Sequence, residues 1–189
     1  LGVDLGGTNI KAALVSESGE IINEAAAPTN LPRTAQAVCD DIAALCLQLG
    51  AGKQVAGIGV GCPDTVCDGV VLYSNNLDWH DFAMADYLQA KTGLPVCLGN
   101  DANVAALGEA LAGCAKGAES AVILTLGTGV GAGVVLGGKL LTGYTGAASE
   151  AGHMVIADAP DAPLCTCGRR GCLEALASAT ALIRMTREA

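Results

Sequence analysis

Two short glycine turns, each set between β-branched and aliphatic runs, constrain this chain more than any other feature. The first is Asp4-Leu5-Gly6-Gly7-Thr8, between apolar runs at residues 1–5 and 10–15. The second is Leu126-Gly127-Thr128-Gly129-Val130-Gly131, inside an apolar stretch that begins at Ala121 and ends at Val135. Strand, tight turn, strand is the local reading of each. Its recurrence predicts two similar half-domains facing each other. Residues 20–26 extend the first meander and Leu140-Leu141 the second. Residues 120–138 carry no charge and are long enough for a membrane-spanning helix. Glycines at 127, 129, 131, 133, 137 and 138 argue against it. Each costs about 1 kcal/mol in a helix relative to alanine, so the window reads as two buried strands and a turn.

Between the turns, Val38, Ile42, Leu45 and Leu49 recur at helical spacing behind Thr34, a candidate N-cap, with Gly50 as the expected stop. Residues 55–61 then read as a buried strand, consistent with a parallel strand fed by that helix. A short helix is expected over residues 82–91 and a strand over 96–99. A further helix opens at Asn100-Asp101, carries Val104, Leu107 and Leu111 as its apolar stripe, and ends at Gly113. Gly117 closes a first α/β domain, residues 1–117. Residues 118–189 begin a second α/β domain, with helical sequence over 172–188. A domain of about seventy residues is small against ordinary domain sizes, so this one is expected to be cut short. The chain opens on Leu1 rather than Met, so residues are expected to be missing upstream.

Composition narrows the function classes. With 51% apolar residues and mean hydropathy +0.46 the chain can bury a core. Its net charge of −9 repels nucleic-acid backbones and anionic membrane surfaces, and 3% aromatic content leaves few platforms for stacking bases. Neither nucleic acid nor membrane is an expected partner. The nine cysteines are an odd number, mostly single within apolar segments, and since no leader pattern is visible in residues 1–20 a secretory signal is not expected. A reducing cytoplasmic setting is expected. Cys39, Cys46, Cys62, Cys97 and Cys114 are read as buried small hydrophobes.

The chemistry-bearing residues cluster. In the first turn, glycine N–H groups and the Thr8 hydroxyl can donate to phosphoryl oxygens while Asp4 holds Mg²⁺; an ordinary hairpin turn is the alternative. The second turn repeats that chemistry. It also meets a relaxed dinucleotide fingerprint, but strand-like sequence follows where a helix is required. There is no Walker A pattern, so a nucleotide would be gripped between two hairpins. Asn100-Asp101-Ala102-Asn103 stands where a strand meets a helix. Asp101 there is either a helix cap or a general base accepting a hydroxyl proton during phosphoryl transfer, with Asn100 able to orient the same substrate. Finally, His153 with Cys165, Cys167 and Cys172 supplies a Cys3His set suited to structural zinc; the alternative is reduced cysteines in a loop.

These motifs, taken in order with Asn75-Asn76-Leu77-Asp78-Trp79, Glu150-Ala151-Gly152-His153 and the run from Cys165 into Leu173-Glu174, resemble the ROK family of repressors, open reading frames and sugar kinases. The resemblance implies an actin-like, ribonuclease-H-like α/β fold of two domains with an interdomain cleft, the second domain truncated. It implies ATP-dependent phosphorylation of a hexose hydroxyl, glucose to glucose 6-phosphate foremost, with Asp101 as base. It places Asn76, Asn100, Asp101, Glu150, His153 and Glu174 on the sugar. Asp4, Gly6, Gly7, Thr8 and Lys11, with Gly127, Thr128 and Gly129, form the ATP-phosphate and Mg²⁺ set. His153, Cys165, Cys167 and Cys172 hold structural Zn²⁺, so His153 serves both metal and sugar. A homodimer or higher homo-oligomer is implied for the full-length protein. The alternatives within the family are kinases for N-acetylmannosamine, N-acetylglucosamine, fructose or allose, or a sugar-sensing repressor with a DNA-binding segment upstream. Two departures stand out: Ser149 replaces a common glycine, and Cys62-Pro63-Asp64 replaces a more usual glycine after proline.

Overall fold

The structure, a computed structural model, describes residues 1–188 apart from Asp64, Asn75, Asn76, Asp78, Thr145 and Ala147. It divides into two compact units, Leu1–Val104 and Ala105–Ala189.

In the first unit β1 (Gly2–Leu5), β2 (Asn9–Val15) and β3 (Ile21–Pro28) form the expected antiparallel meander. The period-2 alternation of β2 buries Ile10, Ala12 and Leu14 and leaves Asn9, Lys11 and Val15 exposed. Helix α1 (Ala35–Gly50) covers the buried face, setting Val38, Cys39, Ile42, Cys46 and Leu49 into the core. The Thr34 hydroxyl accepts from the Ala37 N–H at 3.3 Å, as an N-cap should. Replacing Thr34 by Ala is expected to cost about 1 kcal/mol, read as a lower urea midpoint at unchanged slope. Gly50 is not the stop. It is the last helical residue, and the helix ends at Ala51, with φ −58° and ψ 123°.

Strand β4 (Ile58–Cys62) then runs parallel to β1. A small antiparallel sheet follows, β5 (Thr65–Cys67), β6 (Val70–Ser74) and β7 (Trp79–Phe82). Phe82 closes β7 instead of opening a helix, and α2 (Met84–Thr92) starts on the fully buried Met84. Strand β8 (Val96–Asn100) pairs parallel with β4, completing the sheet order β3-β2-β1-β4-β8.

Parallel register aligns Asp4 with Gly61 and Gly61 with Gly99, all on the face opposite α1. Helix α3 (Asp101–Leu111) leaves β8 without a connecting loop and lays Val104 into the notch those glycines make. A Cβ on Gly61 would come 2.8 Å from one Val104 methyl, and a Cβ on Gly99 2.5 Å from the other. Two side-chain-free positions on neighbouring strands therefore set where α3 begins. Its stripe differs from expectation at the far end. Leu111 is exposed, while Ala102, Asn103 and Ala106 are buried.

In the second unit β9 (Ser120–Leu126) and β10 (Val130–Leu136) pair antiparallel, with β11 (Lys139–Leu140) beyond β10. The uncharged window is thus a hairpin, and no helix among the described residues is long and apolar enough to cross a membrane. A 3-10 turn (Ala151–His153) precedes the cysteine loop. The helical sequence over residues 172–188 forms two helices, α4 (Leu173–Ala177) and α5 (Ala179–Glu188). The break is at Ser178, whose buried hydroxyl accepts from the Ala181 N–H at 3.1 Å and caps α5.

Candidate functional site

Asp4 stands exposed on β1, directly across from Lys11 on β2. Both line a groove of about 770 Å³ on the outer sheet face, with Glu24 and several alanines. The turn beyond Asp4 is tight: the Gly6 N–H donates to the Asn9 carbonyl at 2.9 Å. A buried threonine that the sequence reading did not single out pins it. The Thr29 hydroxyl donates to the Gly6 carbonyl at 2.7 Å, and the Thr29 N–H donates to the Thr8 carbonyl at 2.9 Å. Gly7 and Thr8 are left exposed at the tip. The Thr29 signal was absent locally because a turn-bracing threonine looks like any other polar residue at a strand end.

At the same end of the sheet stands the start of α3, at Asn100-Asp101. Asn100 takes the cap: its side-chain oxygen accepts from the Asn103 N–H at 3.1 Å. Asp101 is the first helical residue and exposed, and one of its carboxylate oxygens accepts from the Ala102 N–H at 2.7 Å. Asp4 pairs with Gly61, and a Cβ on Gly61 would lie 3.6 Å from the Asp101 Cα, so Asp4 and Asp101 occupy neighbouring positions at one sheet end. Asn76 lies outside the described residues.

In the second unit Gly127, Thr128 and Gly129 form the β9–β10 turn, closed by the Gly127 N–H donating to the Gly129 carbonyl at 3.0 Å. Gly127 and Thr128 are exposed. Half-buried Glu174 reaches this turn, one oxygen accepting from the Val130 N–H at 3.0 Å. Glu150 is exposed, and its carbonyl accepts from the His153 N–H at 3.1 Å. Ser149 before it adopts φ +72°, left-handed backbone that suits the glycine it replaces.

His153, Cys165, Cys167 and Cys172 converge, their donor atoms all within 4.8 Å of one another. His153 Nδ1 is 3.5 Å from Cys165 Sγ, and Cys167 Sγ is 3.7 Å from Cys172 Sγ. Tetrahedral zinc with Zn–S bonds of about 2.3 Å separates its sulfurs by about 3.8 Å, so the donor set fits that ion in type, number and spacing. The loop backbone is independently braced: the Cys165 N–H donates to the Arg169 carbonyl at 2.8 Å, and Gly171, at φ +71°, has no room for a Cβ against the Ala157 carbonyl. Exposed Cys167 is pulled down to about 6, first by hydrogen bonding at the Arg169 backbone and then by the Arg169 side chain. Burial pushes Cys172 up to about 11.

The other cysteines are a mixed set. Cys39, Cys46 and Cys62 are buried as expected, and burial raises the Cys39 and Cys46 thiols to about 12 and about 11. Cys97 and Cys114 are exposed, against expectation. Cys97 falls on the outer face of β8 rather than the α1 face, and Cys114 follows the end of α3.

The sequence profile of the ROK family matches residues 1–189. The glucokinase of Thermotoga maritima is 44% identical over 191 residues, covering 100% of this chain and 60% of that protein. A solved ROK family glucokinase from Streptomyces griseus, in complex with glucose and AMPPNP, matches with TM-score 0.85 at 40% identity over 99% of this chain and 59% of its own. A ROK family transcriptional regulator, a homolog of the E. coli MLC protein, matches with TM-score 0.85 at 29% identity over 98% of this chain and 48% of its own. The α/β architecture is that of the actin-like ATPase fold. The chain spans about three fifths of the length of the glucokinase relatives it matches.

Proposed function

The chain belongs to the ROK family, and from that premise we propose that the protein carrying it transfers the γ-phosphoryl group of ATP to a hexose hydroxyl, with glucose as the first substrate. The observation that supports this most is the adjacency of Asp4 and Asp101 at one sheet end, because phosphoryl transfer to an alcohol needs a metal-holding carboxylate and a proton acceptor close together. Asp101 accepts the proton as the sugar oxygen attacks. The Ala102 N–H and the α3 N-terminus hold its carboxylate in place, and Asn100, locked as the helix cap beside it, orients the same substrate. Asn76, Glu150, His153 and Glu174 bind the remaining hydroxyls.

The turns at residues 6–8 and 127–129, with Lys11, bind phosphate through exposed backbone and charge. Mg²⁺ held by Asp4 supplies charge neutralisation at the phosphates when bound. Zn²⁺ held by His153, Cys165, Cys167 and Cys172 is structural, ordering the loop that presents the second His153 nitrogen and Glu174. Much of the rate then comes from positioning and from preorganised charge.

The test is a panel of glucose, mannose, fructose, allose, N-acetylglucosamine and N-acetylmannosamine with ATP and Mg²⁺, scoring ADP and sugar phosphate. Glucose is expected to give the highest kcat/KM. Highest turnover of an acetylated sugar would move the substrate assignment. No product from any sugar, together with sugar-dependent DNA retention by the intact polypeptide, would replace the kinase reading with the repressor one.

A further inference from the structure

Val130 opens β10 immediately after the second glycine turn, and segments bearing the metal-type donors hold it from two sides. On one side its N–H donates to Glu174 Oε2 at 3.0 Å, and Glu174 stands two residues past Cys172. The other oxygen, Glu174 Oε1, accepts from the Thr166 hydroxyl at 2.9 Å, and Thr166 sits between Cys165 and Cys167. One carboxylate therefore spans the cysteine loop and the turn. On the other side, Gly152, the residue before His153, lies so close to the Val130 carbonyl that there is no room for a Cβ.

The same contact explains a glycine in the turn itself. A Cβ at position 129 would meet Glu174 Oε2 and push that carboxylate from its place. Gly129 thus answers to a carboxylate inside the protein as well as to any phosphate outside it. The start of α5, which follows α4 and Glu174 in sequence, adds two fixings. The Ala179 N–H donates to the Gly127 carbonyl at 2.9 Å, and the Thr180 hydroxyl to the Thr128 carbonyl at 2.8 Å.

We propose that Glu174 is a positioning residue through which metal occupancy of the Cys/His loop sets the geometry of the turn at residues 127–129. Its importance for ATP rests on the reading of that turn as a phosphate loop. The coupling follows a contiguous path of hydrogen bonds and close contacts. Ordering the four donors around an ion fixes Thr166 and Leu173, these fix the carboxylate, and the carboxylate fixes the Val130 amide. Charge-assisted bonds to a carboxylate are the stronger class of hydrogen bond, which suits the link to transmit order. Linkage is reciprocal, so a phosphate ligand that orders the turn must also tighten metal binding.

Amide hydrogen exchange over residues 127–131, measured on the intact polypeptide with Zn²⁺ and after its removal by a chelator, tests this directly and requires no turnover. Removal is expected to speed exchange there by about tenfold or more, the signature of a locally opened segment. Thr166→Val, which alters no metal-type donor, is expected to keep its zinc yet show the faster exchange, and Thr166→Ser to restore the slow one. Zinc that does not bind, exchange at 127–131 that ignores its removal, or a zinc-loaded Thr166→Val with wild-type exchange overturns the proposal. Should Thr166→Val lose zinc, the wild-type removal experiment decides alone. The outcome is separable from the kinase reading: a sugar panel without product leaves the exchange coupling standing, and uncoupled exchange leaves product formation standing.

Discussion

Asp101→Asn is expected to slow sugar phosphorylation by about 10²–10⁴-fold, the range that general acid–base catalysis supplies, while glucose affinity stays within a few fold. The substitution is chosen from the geometry. Asparagine keeps an oxygen for the Ala102 N–H and keeps the side-chain volume, so α3 can start where it does. Helix capping is untouched, because Asn100 and not Asp101 accepts from the Asn103 N–H. What disappears is the basic oxygen. Initial rates of ADP release at saturating glucose measure the first quantity, and calorimetric titration with glucose the second. A variant whose turnover stays within about threefold of wild type would remove Asp101 from the role of base, since even the low end of the range is a hundredfold. A variant that loses glucose affinity while turnover at saturating glucose holds would make Asp101 a binding residue only.

The second large effect concerns the metal. The intact polypeptide is expected to hold one Zn²⁺ per chain, and Cys167→Ala to weaken that binding by more than about a hundredfold, since loss of an outer partner alone costs up to that much. Cys167 is the informative ligand to remove because it is exposed, so truncating it opens no cavity. Cys165 and Cys172 are both buried in a small cluster with Ala175, and replacing either would confuse ligand loss with packing loss. Without the ion, burial keeps Cys172 a neutral thiol, its titration pushed up to about 11, and only the backbone bracing of the loop holds the four donors near one another. Because metal binding energy is folding energy in such loops, zinc removal is expected to lower the thermal midpoint and expose residues 153–172 to protease. Metal analysis by mass spectrometry and a melting curve read both. Full zinc retention by Cys167→Ala would strike that residue from the ligand set.

Much of this could be read before any coordinates. Thr34 as a cap, the alternation along β2, the two glycine turns and the His153, Cys165, Cys167 and Cys172 donor set all come from local pattern, where propensity, periodicity and donor chemistry act within a few residues. The small sheet of β5, β6 and β7 escaped notice because its strands are three to five residues long and one carries a bulge, too short for a period to declare itself. The break at Ser178 has no local signature, because a buried serine capping α5 reads like any helical serine.

The amino-acid order by itself determined which segments turn, which face of most elements is apolar, and which side chains are chemically suited to hold a metal or take a proton. Only the tertiary structure decided their company. Asp4 adjoins Asp101 because β4 pairs in parallel with both β1 and β8, placing Gly61 and Gly99 side by side for Val104 to enter. Glu174 meets Val130 because the cysteine loop folds back on the second turn. The physical reason is range: a turn or a cap is settled by atoms a few bonds away, whereas parallel register and loop docking are settled by packing between residues tens of positions apart, which no local period records.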